Sequence, residues 1–342
     1  MSKRALLSVI IIAALALLPV ACKKGEAGGL ALGSISDVRE LVVKDAVGYV
    51  IMNFKSMSDK GLIDEFLKDQ KSLVEFNDFK RKTGLDPKKD LGTGIVVLME
   101  MPSGPNANNE KLYLVVSGKF DQKKIIAAMK AEEKDNFKTE NVSGYTLYHG
   151  STLDNETQLQ KEVFLSFKNN DLILFATSKD CILTACQIVD GKKDGIARGS
   201  NLYDMFENVN KSHMFWGLFT IPESSKKEIE SGPGMMFPAF KDINSIYFGG
   251  SYDGKTLAID ANLFTEKSDS IKELATTLNS FKDMIKGFAS QGGEQSAETA
   301  KAMEMIDKIN ISQEKDSVKI TIILTKEQLE SFKSEGMGMG AK

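Results

Sequence analysis

The feature that most limits what this chain can fold into is a strict alternation of apolar and polar residues, bounded by turn signals, that occurs twice near the C-terminus. Leu257, Ile259, Ala261 and Leu263 alternate with Thr256, Ala258, Asp260 and Asn262, and Val318, Ile320, Ile322 and Leu324 alternate with Lys319 and Thr321. Side chains point to opposite faces of a strand in turn, so this pattern describes antiparallel strands with one packed face and one wetter face. Asp253-Gly254, just before the first run, is a two-residue hairpin signal.

These strands belong to an order of elements that the chain spells out twice. In the first half, strands over Ile95–Met99 and Lys111–Phe120 precede a helix capped by Asp121, with Ile125, Ala128 and Met129 at helical spacing. Strands over Val163–Lys168 and Leu172–Thr177 and a helix over Lys179–Val189 follow. In the second half, strands over Ile243–Tyr252 and Lys255–Phe264 precede a helix with Ile271, Leu274, Leu278, Phe281 and Ile285 on one face. Strands over Lys308–Ser312 and Val318–Leu324 come next, then a helix opening at Thr325, with Gln328 completing a capping box. Apolar strands, Ala46–Phe54 and His213–Ile221, precede the two sets. The expected fold is α+β, in two tandem similar units over 39–205 and 206–336, each an antiparallel sheet with helices packed on one face. Met101–Glu110 reads as a long hairpin loop, Gly287–Thr299 as a mobile loop between helices, and 337–342 as a disordered tail.

The N-terminus has its own signature. Lys3 and Arg4 precede 17 residues, Ala5 to Ala21, that are almost wholly apolar, and Cys22 follows. A basic start, an apolar run and a small residue at the cut make an export signal over 1–21. Leu18-Pro19-Val20-Ala21-Cys22 resembles a bacterial lipoprotein signal, which matches at Ala21 and Cys22 and departs at Pro19, where that family usually carries leucine. The resemblance implies that Cys22 is lipidated, palmitate included, and becomes the first residue of the mature chain. Lys23 in the next position implies the outer membrane, and 22–38 would form the lipidated end and its tether. A secretory signal cut after Ala21 and an uncleaved membrane anchor are the competing readings. The layout as a whole looks like the exported bacterial proteins that carry tandem α+β units behind a lipoprotein leader, a group with no assigned activity.

Charge narrows the partners. The chain carries a net charge of −3, and removing Lys3 and Arg4 leaves 42 basic against 47 acidic side chains, or −5. Nucleic acid would need a basic stripe, so none is expected as a partner. Cys181 and Cys186 share one helix, about 140° apart around the axis and over ~7 Å apart along it, too far for a disulfide. They read as two buried thiols.

Several motifs match a pattern but lack its context. Gly249–Thr256 fits the phosphate-binding loop G-x-x-x-x-G-K-T. That loop must open a helix, and here a strand follows. Lys82-Thr83-Gly84 and Ser224-x-x-Lys227 resemble fragments of the penicillin-binding serine acyl-enzymes in reversed order. His149 and His213 are the two histidines; neither has metal-ligand spacing, and no G-x-S-x-G elbow accompanies them. His149 reads as closing a strand end and His213 as opening the Trp216 strand. Glu132, Glu133 and Asp135 read as solvated charge beside Lys130 and Lys134. No catalytic residue, metal or cofactor is expected.

The reading is therefore a lipid-anchored, exported binding or scaffold protein of the cell envelope, without enzymatic activity. Its partners would be the membrane, through Cys22, and an envelope protein or a lipid. The alternative is a periplasmic carrier of an apolar ligand such as lipid, with a hydrolase behind it. The residues that would line an apolar-ligand surface are Trp216, Phe215, Phe219, Tyr49 and Met52.

Overall fold

The computed structural model describes residues 37–68, 70–100, 111–133, 136–153, 160–223, 225–226, 238–291 and 297–329. Cys22 and its tether as far as 36, the 101–110 loop and the 337–342 tail lie outside the described residues, and the last two positions expected in the tether belong to the fold instead, Asp37 as the cap and buried Val38 as the first residue of a 3₁₀ turn. The chain divides into two compact units, and the boundary falls between Asn208 and Val209.

Unit 1 opens with a 3₁₀ turn, Val38–Leu41, and β1, Gly48–Asn53. Four helices follow: α1 (Phe54–Asp59), α2 (Leu62–Phe66), α3 (Gln70–Thr83) and α4 (Pro87–Asp90). Asn53 Oδ1 accepts the Ser56 N–H at 2.8 Å and caps α1, and Asp86 caps α4 with Pro87 in its first turn. Then come β2 (Leu91–Glu100), β3 (Lys111–Gly118), α5 (Gln122–Glu133), β4 (Lys138–Val142), β5 (Tyr145–Leu153), β6 (Gln160–Asn169) and β7 (Leu172–Ala176). The unit ends on α6 (Lys179–Val189) and α7 (Asn201–Asn208). Its strands lie in the order β1-β2-β3-β7-β6-β5-β4, with each neighbouring pair antiparallel. Helix α6 packs on β3, β6 and β7 with Cys181, Ile182, Ala185, Cys186 and Ile188 buried. Both cysteines are free thiols, as their spacing requires. Burial pushes both thiols above their ordinary range.

Unit 2 runs β8 (Phe215–Thr220), a 3₁₀ turn (Pro238–Asp242), β9 (Ser245–Tyr252), β10 (Thr256–Phe264), α8 (Ser268–Gln291), α9 (Ala297–Lys308), β11 (Asn310–Gln313) and β12 (Ser317–Thr325). Its strand order is β8-β9-β10-β12-β11, also antiparallel throughout. Ile271, Leu274 and Ala275 of α8 bury against Val318 of β12 and Ala239 and Ile243 beside the 3₁₀ turn, which makes the core of the unit. Residues 326–329 are helical, and the capping box forms: the Thr325 N–H donates to Gln328 Oε1 at 2.9 Å, and the Gln328 N–H to Thr325 Oγ1 at 3.4 Å.

Four expectations need correction. The Gly287–Thr299 segment is helical at both described ends, through Gln291 in α8 and from Ala297 in α9. The apolar face of α8 carries it past Gly287, whose composition suggested a loop. His149 closes no strand end; it lies inside β5, opposite Lys138 and Phe164, with its ring stacked on Phe164 at 4.9 Å. Glu132 is not simply solvated, because it pairs with Lys82 and ties α5 to α3. The hairpin at Asp253 is real, but its tip sits one residue later than expected. The Asp253 carboxylate accepts the N–H groups of Lys255 (2.9 Å) and Thr256 (2.7 Å), which places Gly254, at φ 93°, and Lys255 at the turn. Only glycine takes that φ without strain.

Candidate functional site

The residues expected to line an apolar-ligand surface are placed inside the fold. Tyr49, Met52, Phe215 and Trp216 are each at most 2% exposed. Phe219 is half-buried and stacks on Phe248 at 5.8 Å. Along β1, Tyr49, Ile51 and Met52 are all buried, and along β8 Phe215, Trp216 and Leu218 are. Both faces of each strand are thus covered, which accounts for the two-faced apolar pattern.

Unit 2 assembles a polar cluster that sequence spacing did not reveal. His213 lies just before β8, and its ring is fully buried. Its Nε2 lies 3.1 Å from Asp260 Oδ1, and its Nδ1 lies 3.1 Å from Ser251 Oγ. Asn210 Nδ2 stands 3.3 Å from Nε2, and Lys319 Nζ 3.7 Å from Asp260 Oδ2. The ring fits because residue 249 is glycine: a Cβ there would stand 2.5 Å from His213 Cδ2. Asp260 pairs with Gly249, so the imidazole bridges from the start of β8 over β9 to a carboxylate on β10.

This order of side chains is that of a Ser-His-Asp triad, but the setting differs from one. Ser251 sits within β9 opposite Ala258, in a regular ladder. A nucleophile elbow instead exposes its serine on a strained turn between strand and helix. The imidazole itself has no exposed surface from which to exchange protons with a substrate. The cluster reads as a cross-strand tie that satisfies buried polar groups.

Unit 1 holds an open cleft. A cleft of about 530 Å³ is lined by the turn at 37–41 and by residues 188–196, with Tyr203 at its side. The turn exists because Asp37 caps it, accepting the Arg39 N–H at 2.9 Å. The same carboxylate holds the Arg39 guanidinium in a fork, Nε at 2.8 Å and Nη2 at 2.5 Å from Oδ2. Glu207 of α7 takes Nη1, and the Tyr203 and Phe206 rings flank the guanidinium with their centroids 4.5 and 4.6 Å from Cζ. The hydrogen bond to Asp37 raises the Arg39 pKa further, against the effect of its burial.

The opposite wall is the C-terminal end of α6. Asp190 ends that helix, its N–H bonded back to Cys186 O at 3.1 Å. Burial alone would raise the Asp190 carboxyl. Hydrogen bonds from Lys168, Lys192 and Tyr145 outweigh it and hold the group at about 2. Leu41, Ile188 and Ile196 form a buried apolar floor, and the Val43–Gly195 bridge joins the two walls. Exposed at the rim are Glu40, Lys193 and Asp194.

Among the described residues no group of three His, Cys, Asp or Glu side chains could hold a metal ion, and no helix is long and apolar enough to cross a membrane. No protein-family profile matches the chain, and no curated protein matches it. Among solved structures, TP0453 in crystal form III is similar at 10% identity and TM-score 0.47, covering 91% of this chain and all of that one. TP0453 in crystal form I is similar at 9% identity and TM-score 0.45, covering 88% of this chain and 98% of that one.

Proposed function

We propose that this chain is an exported, lipid-anchored binding or scaffold protein of the cell envelope, held at the outer membrane by acyl chains on Cys22, with no catalytic role. The cleft of unit 1 is its ligand site, and the observation that carries this reading is the cleft's make-up. Its fixed charges are already matched, Arg39 by Asp37 and Glu207, and Asp190 by Lys168 and Lys192. That leaves Glu40 and Asp194 against Lys193 at the rim. The C-terminal end of α6 adds the negative pole of an 11-residue helix. A small polar molecule bearing an ammonium group suits a wall of that sign, above an apolar floor.

Two experiments test this. Metabolic labelling with palmitate should mark the wild-type chain and not Cys22→Ser; equal labelling removes the anchor from the reading. Calorimetric titration with putrescine and choline should show saturable binding that Glu40→Ala with Asp194→Ala abolishes. Binding unchanged in that double variant would place the ligand elsewhere.

The two units are also proposed to be copies of one ancestral unit. The support is topological: β1-β2-β3-β7-β6 in the first and β8-β9-β10-β12-β11 in the second follow the same succession. Each has a helical insertion after its third strand, α5 and α8. The first copy then carries the β4–β5 hairpin as an addition at its sheet edge.

A further inference from the structure

We infer that one end of unit 1, where α3 and α4 end and α5 begins, is a basic docking face for the anionic phospholipid headgroups of a bilayer. The inference rests on the reading that Cys22 holds the chain beside a membrane.

Three segments far apart in sequence come together there. Lys82 near the end of α3 pairs with Glu132 at the far end of α5, which fixes the two helices side by side. Gly84, just past α3, lies beneath Lys124, so close that a Cβ would come within 2.9 Å of Lys124 Cδ. The Lys119 N–H donates to Asp90 O at 2.8 Å, which brings the start of α5 against the end of α4. The exposed cations of these adjoining segments are Arg81, Lys89, Lys119, Lys123 and Lys124.

The counter-charges are arranged in depth. Asp78, Asp86 and Glu132 are 14–15% exposed, while Arg81, Lys89 and Lys124 are 73, 80 and 64% exposed. Asp121 and Asp64 are exposed acids of the region, at 48 and 57%, and exposed Asp171 lies beside Gly118 and Phe120 as a third, against five exposed cations. A surface approaching from solvent therefore meets the ammonium and guanidinium groups of these ion pairs before the part-buried acids that hold them. This local sign runs against a chain whose net charge is negative, so a general attraction of the whole protein to anions does not explain it. Headgroup phosphates are the anions that a chain tethered by lipid meets at high local concentration. The cations would orient the tethered body, since acyl chains already supply the anchorage.

The test uses the chain without residues 1–22, which keeps every described element. Flotation with phosphatidylcholine vesicles should show little binding, and vesicles containing phosphatidylglycerol should bind it. Raising salt from about 0.05 to 0.5 M should remove that binding. Each surface lysine contributes about fivefold near such a membrane, so Lys119→Glu with Lys123→Glu and Lys124→Glu should weaken it by roughly a hundredfold or more. Equal reversals in unit 2, Lys255→Glu with Lys272→Glu and Lys315→Glu, should leave most of it. The melting temperature of each variant checks that the fold is kept. No preference for phosphatidylglycerol, or equal loss in both triple variants, overturns the inference. So does patch-dependent retention on heparin without vesicle binding, which would make the partner an anionic polymer. None of these outcomes bears on the labelling of Cys22.

Discussion

Units 1 and 2 each bury a polar tie between distant segments, and they do it with different chemistry. In unit 1 the Tyr113 hydroxyl, on a ring with no exposed surface, donates to Leu41 O at 2.7 Å and accepts the Val43 N–H at 3.0 Å. Burial pushes that phenol above its ordinary range, so the tie stays neutral wherever the protein is folded. In unit 2 the tie is His213 with Asp260, an imidazole nitrogen 3.1 Å from a carboxylate oxygen with both side chains buried. A tie between uncharged groups asks only for geometry, whereas one built on a buried carboxylate adds the desolvation of a charge and becomes costly when a partner is removed.

The sharpest way to break the comparison is therefore in unit 2. Asp260→Ala should destabilise the protein by about 3–5 kcal/mol, because it leaves the buried imidazole without its carboxylate. His213→Leu in the Asp260→Ala background should recover part of that loss, and urea denaturation of the four proteins in the cycle measures the coupling. Additive losses would show that the two side chains do not act as a pair. Tyr113→Phe should cost less, about 1–3 kcal/mol, for the buried Leu41 carbonyl and Val43 N–H left unsatisfied. Its effect should not change with pH between 5 and 8. A pH-dependent penalty would mean that the unit 1 tie is not the neutral one described.

Acid offers a finer comparison. Asp190, in the cleft wall of unit 1, is held at about 2, below its ordinary value of 3.8. A carboxyl depressed on folding adds stability above its unfolded pKa and loses it as the pH falls through the folded one. Asp190→Asn should thus lower the urea midpoint at pH 5. That gap should narrow as the pH falls from about 4 towards 2. A gap that stayed constant over this range would show that the Lys168 and Lys192 contacts do not stabilise the carboxylate.

The two units also differ in how far their residues disclosed them. The strands of unit 2 were readable because Leu257 to Leu263 and Val318 to Leu324 alternate under one-sided burial, and the Thr325–Gln328 box has a local pattern. Helix α6 was readable to the residue, since Ser178 caps it and its apolar face has helical spacing. The β4–β5 hairpin was not: Lys138–Val142 is an edge strand with no buried residue, so it carries no apolar alternation. Helices α1 to α4 were largely missed because three of them are six residues or shorter. The sites were less legible than the fold. Arg39 meets Glu207 across 168 positions, and His213 meets Ser251 across 38, with no motif that marks either pair. Pairings of that kind are set by strand order and register, which single-residue patterns do not contain.

The smallest expected effect tests whether a perfect motif match carries any chemistry. Lys255, the lysine of the G-x-x-x-x-G-K-T pattern, sits at the tip of the β9–β10 turn. What holds that turn is Asp253, whose carboxyl is kept below its ordinary range chiefly by the N–H of Thr256. The backbone of Lys255 also takes part, its carbonyl accepting the Lys326 N–H at 2.9 Å, while its side chain is exposed. Lys255→Ala keeps every one of those bonds, so it should change stability by no more than about 0.5 kcal/mol. Asp253→Ala removes the acceptor of two N–H groups and should cost more, about 1 kcal/mol. In a phosphate-binding loop the ranking would reverse in the presence of nucleotide, because the lysine would be the residue that meets the phosphates. Thermal melts of both variants with and without ATP decide between these. A shift with ATP in the wild type that Lys255→Ala abolishes would return the phosphate loop to consideration. No shift in any of the three proteins, with Asp253→Ala the least stable, leaves a hairpin whose sequence matches that motif by chance.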